Sequence, residues 1–271
     1  AFSRLLWQRK KMMADEAYFS DYVAFMSKLF EQQHCEPVTK QVNGSGDVWY
    51  LPHHGVYHPQ KRKLRIVFDC SARFQGLCLN DILLQGPNLI NSLFGVLTRF
   101  RFEPVTFVAD LEAMYYQVRV PPKDRSYLRF LWFAGNDLRG DIVEYQMSVH
   151  IFGAVSSPSV ANFVLQKVAT NSLDYQVRDT LLRNFYVDDC LCSQESIVEC
   201  RSLIERLSSA CKQGGFRLTK FISNNVEVLS SIPVNERAKD VQSIDLVKED
   251  LPMAQALGVL WHVNDDTFGF R

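Results

Sequence analysis

Asn184-Phe185-Tyr186-Val187-Asp188-Asp189-Cys190-Leu191 is the stretch on which the reading of the fold turns. Aromatic and aliphatic residues lead into two adjacent aspartates, and an apolar run follows. The pattern predicts short strands at Leu181–Val187 and Cys190–Ser193, joined as a hairpin around Asp188-Asp189. Asp is a favoured turn residue, and an Asp pair at a turn usually carries no chemistry. The apolar flanks and a second acidic position change that reading. Asp110 closes the apolar run Val105–Ala109, itself predicted as a strand. Carboxylates packed together repel one another, and burial raises their pKa. Such a cluster is stable mainly with a hard cation, and Mg²⁺ takes carboxylate oxygens together with substrate phosphates. Two ions about 4 Å apart can clamp the attacking and leaving oxygens of a phosphoryl transfer. That chemistry requires the two strands to be neighbours.

Outward from the hairpin, Ser193 is predicted to cap a helix whose apolar stripe is Ile197, Cys200, Ile204, Leu207 and Cys211. Gly214-Gly215 ends it. Phe216–Ile222, Glu227–Leu229 and Ala256–His262 are predicted as strands. Upstream, Ser156–Val168 is predicted as a helix with Pro158 in its first turn, and Tyr127–Phe133 and Val143–Met147 as strands. Leu79–Leu84 and Leu89–Phe100 are predicted as helices, separated by Gly86-Pro87. Lys63–Cys70 is predicted as a strand, with Arg65, Val67 and Asp69 on one face and Leu64, Ile66 and Phe68 on the other. Asn43–Asp47 is a turn cluster before a predicted strand at Val48–Leu51. Residues 1–34 carry helical spacing. The alternation of elements after residue 104 predicts an α+β sheet with helices on one face. No linker divides the chain.

Composition narrows the class. The chain has 271 residues, 47% hydrophobic and 22% charged, which excludes disordered, collagen-like and coiled-coil chains. No apolar stretch approaches the ~20 residues that span a bilayer, and the basic N-terminus lacks a signal peptide's apolar segment. The first residue is Ala, as expected of a piece of a longer product. Seven cysteines without a disulfide rhythm or a C-x-x-C pair point to a reducing, intracellular compartment. Cys190 and Cys192 are expected to be packing residues. Cys35, His53, His54 and His58 lie close in sequence, but their spacing matches no common zinc finger. Net charge is zero, yet unevenly spread: residues 1–103 carry 13 basic and 9 acidic side chains, and residues 104–200 carry 8 and 12. A positive first third thus precedes an acidic middle.

Phe185-Tyr186-Val187-Asp188-Asp189 resembles the Y-x-D-D motif of reverse transcriptases, and five further blocks of that family occur in order. Phe107–Val118 resembles the first catalytic block. Phe152-Gly153-Ala154-Val155-Ser156-Ser157-Pro158 resembles the second. Gly214–Lys220 resembles the fourth block, Leu257–Trp261 the primer-grip block, and Lys63–Asp69 the fingers strand. Leu51–Val56, Arg65–Ala72, Leu79-Asn80-Asp81 with Gly86-Pro87, and Asn184–Leu191 together resemble the Bel/Pao group of long-terminal-repeat retrotransposons. The resemblance runs over the whole chain.

The resemblance implies a right-hand polymerase fold. Residues 1–104 would form an N-terminal extension and fingers, 105–255 the palm with a finger insertion, and 256–271 primer-grip strands at the start of a thumb that is largely absent. The palm sheet would be antiparallel and backed by helices. By resemblance, Asp110, Asp188 and Asp189 are catalytic and, with the Leu111 carbonyl, hold two Mg²⁺ ions; Mn²⁺ could replace them. Lys63 (with Lys61 and Arg62 as competitors), Arg65, Tyr115, Phe152, Gly153 and Lys220 would bind the nucleotide. Tyr115 would be the gate against a ribose 2′-OH. Phe152 stands where retroviral enzymes often have Gln, and Ile151 where many related elements have Pro. Ser157, Pro158, Tyr186, Leu257, Gly258 and Trp261 would contact template or primer. The implied partners are an RNA template, a DNA or tRNA primer, dNTPs, and the ribonuclease H and integrase of a parent polyprotein, in cytoplasmic virus-like particles with no membrane. A catalytically silent nucleic-acid-binding remnant and a metal-dependent nuclease are the competing readings.

Overall fold

A computed structural model describes residues 1–38, 48–58, 63–242, 254–257 and 259–269. The turn cluster at 43–47, Lys61, Arg62 and Gly258 lie outside the described residues. The chain forms two compact units that interleave in sequence: Ala1–Gly86 with Tyr115–Ser157, and Pro87–Met114 with Pro158–Arg271.

The first unit opens with two helices where the sequence predicts one. Phe2–Ala14 ends at Asp15, whose extended backbone breaks the helix and whose carboxylate accepts from the Tyr18 N–H at 2.9 Å. That cap starts Glu16–Glu31. Two small antiparallel sheets lie in this unit. One has the order Cys35–Pro37, Ile142–Met147, Arg129–Phe133; the other is the hairpin His53–Tyr57 with Leu64–Phe68. Val48–Leu51 is not a strand; it contributes a lone bridge, Tyr50 to Arg129, and the strand starts at His53. The predicted strand from Tyr127 starts at Arg129, because Pro122–Leu128 is a 3₁₀ turn. The alternation in Leu64–Phe68 is as the sequence predicts, with Leu64, Ile66 and Phe68 inside and Arg65 and Val67 outside.

Aromatic residues dominate this core. Tyr22 stacks on Trp132 at 5.3 Å between centroids, and its hydroxyl lies 2.5 Å from His53 Nδ1. His53 Nε2 meets the Leu131 carbonyl at 2.9 Å, so both ring nitrogens are engaged within the core.

The second unit is built on a four-stranded antiparallel sheet. Its order is Phe185–Tyr186, Asp189–Gln194, Val105–Leu111, Leu218–Ser223. Helices cover both faces, not one. Cys190 and Cys192 turn toward Cys211 and Cys200 of the long helix Ile197–Gln213. Leu191 and Val108 turn the other way, toward Val96 and Phe100 of helix Leu93–Phe100 and toward Trp261. Trp261 belongs to a small antiparallel sheet of Ala254–Ala256, Val259–His262 and Thr267–Gly269.

Several boundaries differ from the sequence reading, each for a local reason. The first three residues of Leu181–Val187 are helix: Tyr175–Arg183, capped by Asp174, leaves only Phe185–Tyr186 as strand. Ser196, not Ser193, caps the long helix; the Ser193 hydroxyl donates to the Arg99 carbonyl. Glu227–Leu229 is helical because Asn225 accepts from the Glu227 and Val228 N–H groups and starts helix Val226–Ser231. Leu79–Ile82 and Leu93–Phe100 are shorter than predicted; Ser92 caps the latter. No helix among the described residues is long and apolar enough to cross a membrane.

Candidate active site

The second unit brings the three aspartates together. Asp110 lies near the end of the central strand and pairs directly with Asp189 on the neighbouring strand. Asp189 also pairs with Tyr186, which leaves Val187-Asp188 as the two-residue tip of the hairpin. The tip is tied down from several sides. The Leu111 N–H donates to the Asp188 carbonyl at 2.8 Å. Asn91 Nδ2 donates to the Phe185 and Leu182 carbonyls, at 2.9 and 3.0 Å. Asn184 Nδ2 donates to the Leu191 carbonyl at 2.9 Å. These ties hold Val187 at a φ of 57°, a region that a β-branched residue enters only under constraint.

Lys220 completes the cluster through a β-bulge. Val108 pairs with Ile222 and Asp110 with Thr219, so Lys220 and Phe221 together oppose the single residue Ala109. Lys220 takes up the bulge at a φ of 56°. The irregularity brings its Nζ to 2.7 Å from Asp110 Oδ1. The strand carrying it is anchored at its start by Arg217, whose guanidinium reaches Glu112 at 2.7 Å and Glu236 at 2.8 Å.

The electrostatics follow from the packing. Burial pushes the Asp189 carboxyl up to about 6, and the charges of Asp188 and Asp110 add to the rise while Lys220 opposes it. Asp188 is raised too, first by burial and then by Asp110. Among the described residues, the half-buried carboxylates outnumber the cation of Lys220 beside them, an excess of negative charge that a hard divalent cation would neutralise. The donor set fits Mg²⁺ in charge and chemistry. Among the described residues, no three His, Cys, Asp or Glu side chains are grouped closely enough to hold a metal ion by themselves.

The first unit holds most of the remaining predicted residues. Tyr115 and Phe152 form a tilted ring pair at 4.5 Å, and Tyr116 meets Phe152 edge-on at 5.7 Å. Phe152 is exposed. Gly153 has a φ of 100°, and a Cβ there would lie 3.1 Å from the Phe68 carbonyl, so only glycine fits without strain. Asn80 clamps this loop: its Nδ2 donates to the Gly153 carbonyl at 2.9 Å and its Oδ1 accepts from the Val155 N–H at 3.0 Å. Arg65 and Lys63 are exposed on and beside the Leu64–Phe68 strand. Ser157 is fully buried, its hydroxyl donating to the Ile151 carbonyl at 2.8 Å, so it shapes the loop from within. Pro158, partly buried in the second unit, accepts from Asn162.

Tyr186 and Leu257 pack against the second unit's apolar cluster around Trp261, and Leu257 has a φ of 50°. Trp261 is fully buried, its Nε1 donating to Asp266 at 2.8 Å. Sequence reasoning gave no role to Asn80, Asn91 and Asn184, although Asn80 and Asn184 sit inside quoted motifs. Asn91 carries no sequence signal: its partners lie about ninety residues away.

No protein-family model matches the chain, and no curated protein matches its sequence. Solved structures do match in fold. A selenomethionine-labelled mutant of the prototype foamy virus protease–reverse transcriptase aligns with a TM-score of 0.57 at 16% identity, covering 76% of this chain and 24% of that one. The foamy viral protease–reverse transcriptase in complex with double-stranded DNA aligns at 0.57 and 16%, covering 90% and 33%. The native prototype foamy virus enzyme aligns at 0.51 and 18%, covering 72% and 23%. The chain thus spans between about a quarter and a third of the solved chains it matches. The mixed helix and antiparallel-sheet fold is the one found in these reverse transcriptases.

Proposed function

We propose that the chain is the polymerase portion of a reverse transcriptase, an RNA-directed DNA polymerase that extends a primer 3′-OH with dNTPs on RNA or DNA template. One observation carries the reading. Asp110, paired with Asp189 beside the Asp188 hairpin tip and contacted by Lys220, lies on a sheet of a fold found in reverse transcriptases. The motif order supports assignment to a Bel/Pao-type element.

The three carboxylates and the Leu111 carbonyl would hold two Mg²⁺ ions, or Mn²⁺ in their place. When bound, the ions neutralise charge on the transferring phosphoryl group and lower the pKa of the attacking hydroxyl. The chain's own residues do the rest. The pairing of Asp110 with Asp189 and the ties on the hairpin tip preorganise the acidic groups, so that little reorganisation is needed during reaction. Lys220 holds a proton at Nζ and can deliver it to the departing pyrophosphate or contact its oxygens. Arg65, with Lys63, offers a guanidinium fork and an ammonium to the triphosphate. Tyr115, backed by Phe152, excludes a ribose 2′-OH by bulk, and Phe152 and Gly153 line the base. Pro158 and Tyr186 meet template and primer, while buried Ser157 and Trp261 hold the backbone that does so, with Leu257 and Gly258. The partners on this reading are an RNA template, a DNA or tRNA primer, dNTPs, and the ribonuclease H and integrase of a parent polyprotein in cytoplasmic particles.

Primer extension with Mg²⁺ on RNA and DNA templates, wild type beside Asp110→Asn, tests the reading. Extension that survives in the variant would overturn the assigned site.

A further inference from the structure

The second unit holds a cavity to which the polymerase reading gives no role. It lies between the long helix Ile197–Gln213, the strand Leu218–Ser223 with the residues leading into it, and the turn at 231–236. Its volume is about 370 Å³, within the range of small-ligand sites. Ile204, Phe216, Leu218, Phe221 and Ile232 form the apolar wall, and each is buried. The turn is held against the strand by the Ala238 N–H, which donates to the Phe221 carbonyl at 3.0 Å, and by a bridge from Phe221 to Arg237. On the helix, Arg201, Glu205, Ser208 and Lys212 recur at i, i+4, i+7 and i+11, so they share one face at the cavity. Ser208 is the small member of that stripe and leaves the space open.

One polar group in the lining is incomplete. Glu236 Oε1 accepts from the Arg217 guanidinium at 2.8 Å, but Glu236 Oε2 is buried without a hydrogen-bond partner. A buried carboxylate oxygen left unpaired is costly, and a donor brought to it recovers that cost. The last torsion of a Glu side chain is broad, so a small turn presents this oxygen to a donor in the cavity. Arg217 is already engaged on both sides, by Glu236 and by Glu112 at 2.7 Å. Arg201 and Lys212 are exposed at the rim.

We propose that this cavity binds a small fused-ring heteroaromatic molecule that donates one N–H hydrogen bond to Glu236. Each part of that class comes from a wall of the site. The apolar wall with Phe216 and Phe221 takes a flat ring system. The rim cations Arg201 and Lys212 favour a π face over an aliphatic body. The open acceptor on Glu236 selects a donor, and Glu205 with Glu236 disfavours a carboxylate ligand. The site is built wholly within the second unit and needs no polymerase activity to be occupied.

The test titrates the full chain with indole, which carries the N–H donor, and with 1-methylindole, which lacks it, followed by ligand-observed NMR. The expected result is saturable indole binding with a Kd below about 1 mM. 1-Methylindole should bind about tenfold more weakly, the usual worth of a hydrogen bond to a charged group. Glu236→Met keeps the length of the side chain and removes the acceptor, so indole affinity should fall to that of 1-methylindole. Ser208→Phe fills the cavity from the helix face and should abolish binding of both. Equal affinity for the two compounds in wild type would overturn the proposal, and so would an indole preference that survives in Glu236→Met. Unchanged indole binding in Ser208→Phe of wild-type melting temperature would place the ligand elsewhere and overturn it as well. Should Ser208→Phe fail to fold, the comparison of wild type with Glu236→Met decides.

Discussion

Asp110 and Asp189 face one another across neighbouring antiparallel strands, as direct partners in the sheet's register. The pairing has an electrostatic consequence. Asp189 is half-buried beside two other carboxylates, and its acidity is set by that confinement together with the cation of Lys220.

The first prediction concerns pH and stability. The Asp189 carboxyl is raised by burial, then by Asp188 and Asp110, to about 6 when folded, against an ordinary value near 3.8. Between those values the folded state holds a proton that the unfolded state has released. Stability from this group therefore falls as pH rises through the window and stays reduced above about 6. Asp189→Asn removes the penalty. Without divalent metal, it should melt a few degrees above wild type at pH 7.5, with the gap closing by about pH 4. A gap constant with pH would show that Asp189 is not confined in this way.

The Lys220 contact predicts a coupled effect. Lys220 lies 2.7 Å from Asp110 and opposes the rise of both Asp188 and Asp189. Lys220→Ala should push the Asp189 pKa higher, moving the melting-versus-pH window upward. Carboxyl chemical shifts followed through a titration would read this directly. An unchanged Asp189 titration would separate the lysine from the cluster.

Gly153 should tolerate no side chain. Its φ of 100°, and the 3.1 Å at which an added Cβ would meet the Phe68 carbonyl, make Gly153→Ala strained. The cost should be about 1–3 kcal/mol, read by denaturant unfolding. The loop that carries Phe152 would shift with it, so KM for dNTP should rise more than kcat falls. A neutral substitution would mean the backbone there relaxes freely.

Tyr115, packed at 4.5 Å against Phe152, is predicted to set sugar selectivity. Tyr115→Ala should raise incorporation of rNTP relative to dNTP by at least about tenfold, since the gate works by bulk. Tyr115→Phe keeps the ring and should keep the selectivity. Equal discrimination in all three proteins would remove the gate role.

Much of this architecture is legible in the sequence because it rests on short-range patterns. The Leu64–Phe68 alternation, the stripe from Ile197 to Cys211 and the hairpin around Asp188 all follow from spacing. What spacing cannot show is where a polar side chain diverts the backbone. Asp15 splits the first helix, Asn225 converts a β-like Val-rich stretch into a helix, and Asp174 starts the helix that shortens the strand before the aspartates. The Lys220 contact was hidden for another reason. Strict alternation puts neighbours on opposite faces, and only the bulge opposite Ala109 directs this lysine to Asp110. Asn80 and Asn91 were silent because their partners are distant in sequence.

Primer extension on poly(rA)/oligo(dT) with Mg²⁺ and dTTP, wild type beside Asp188→Ala, tests the central claim most directly. The account predicts extension by wild type and a loss of at least about a hundredfold in the variant, with template–primer binding retained. Wild type that binds template–primer without extending it, or equal extension by both proteins, would contradict it.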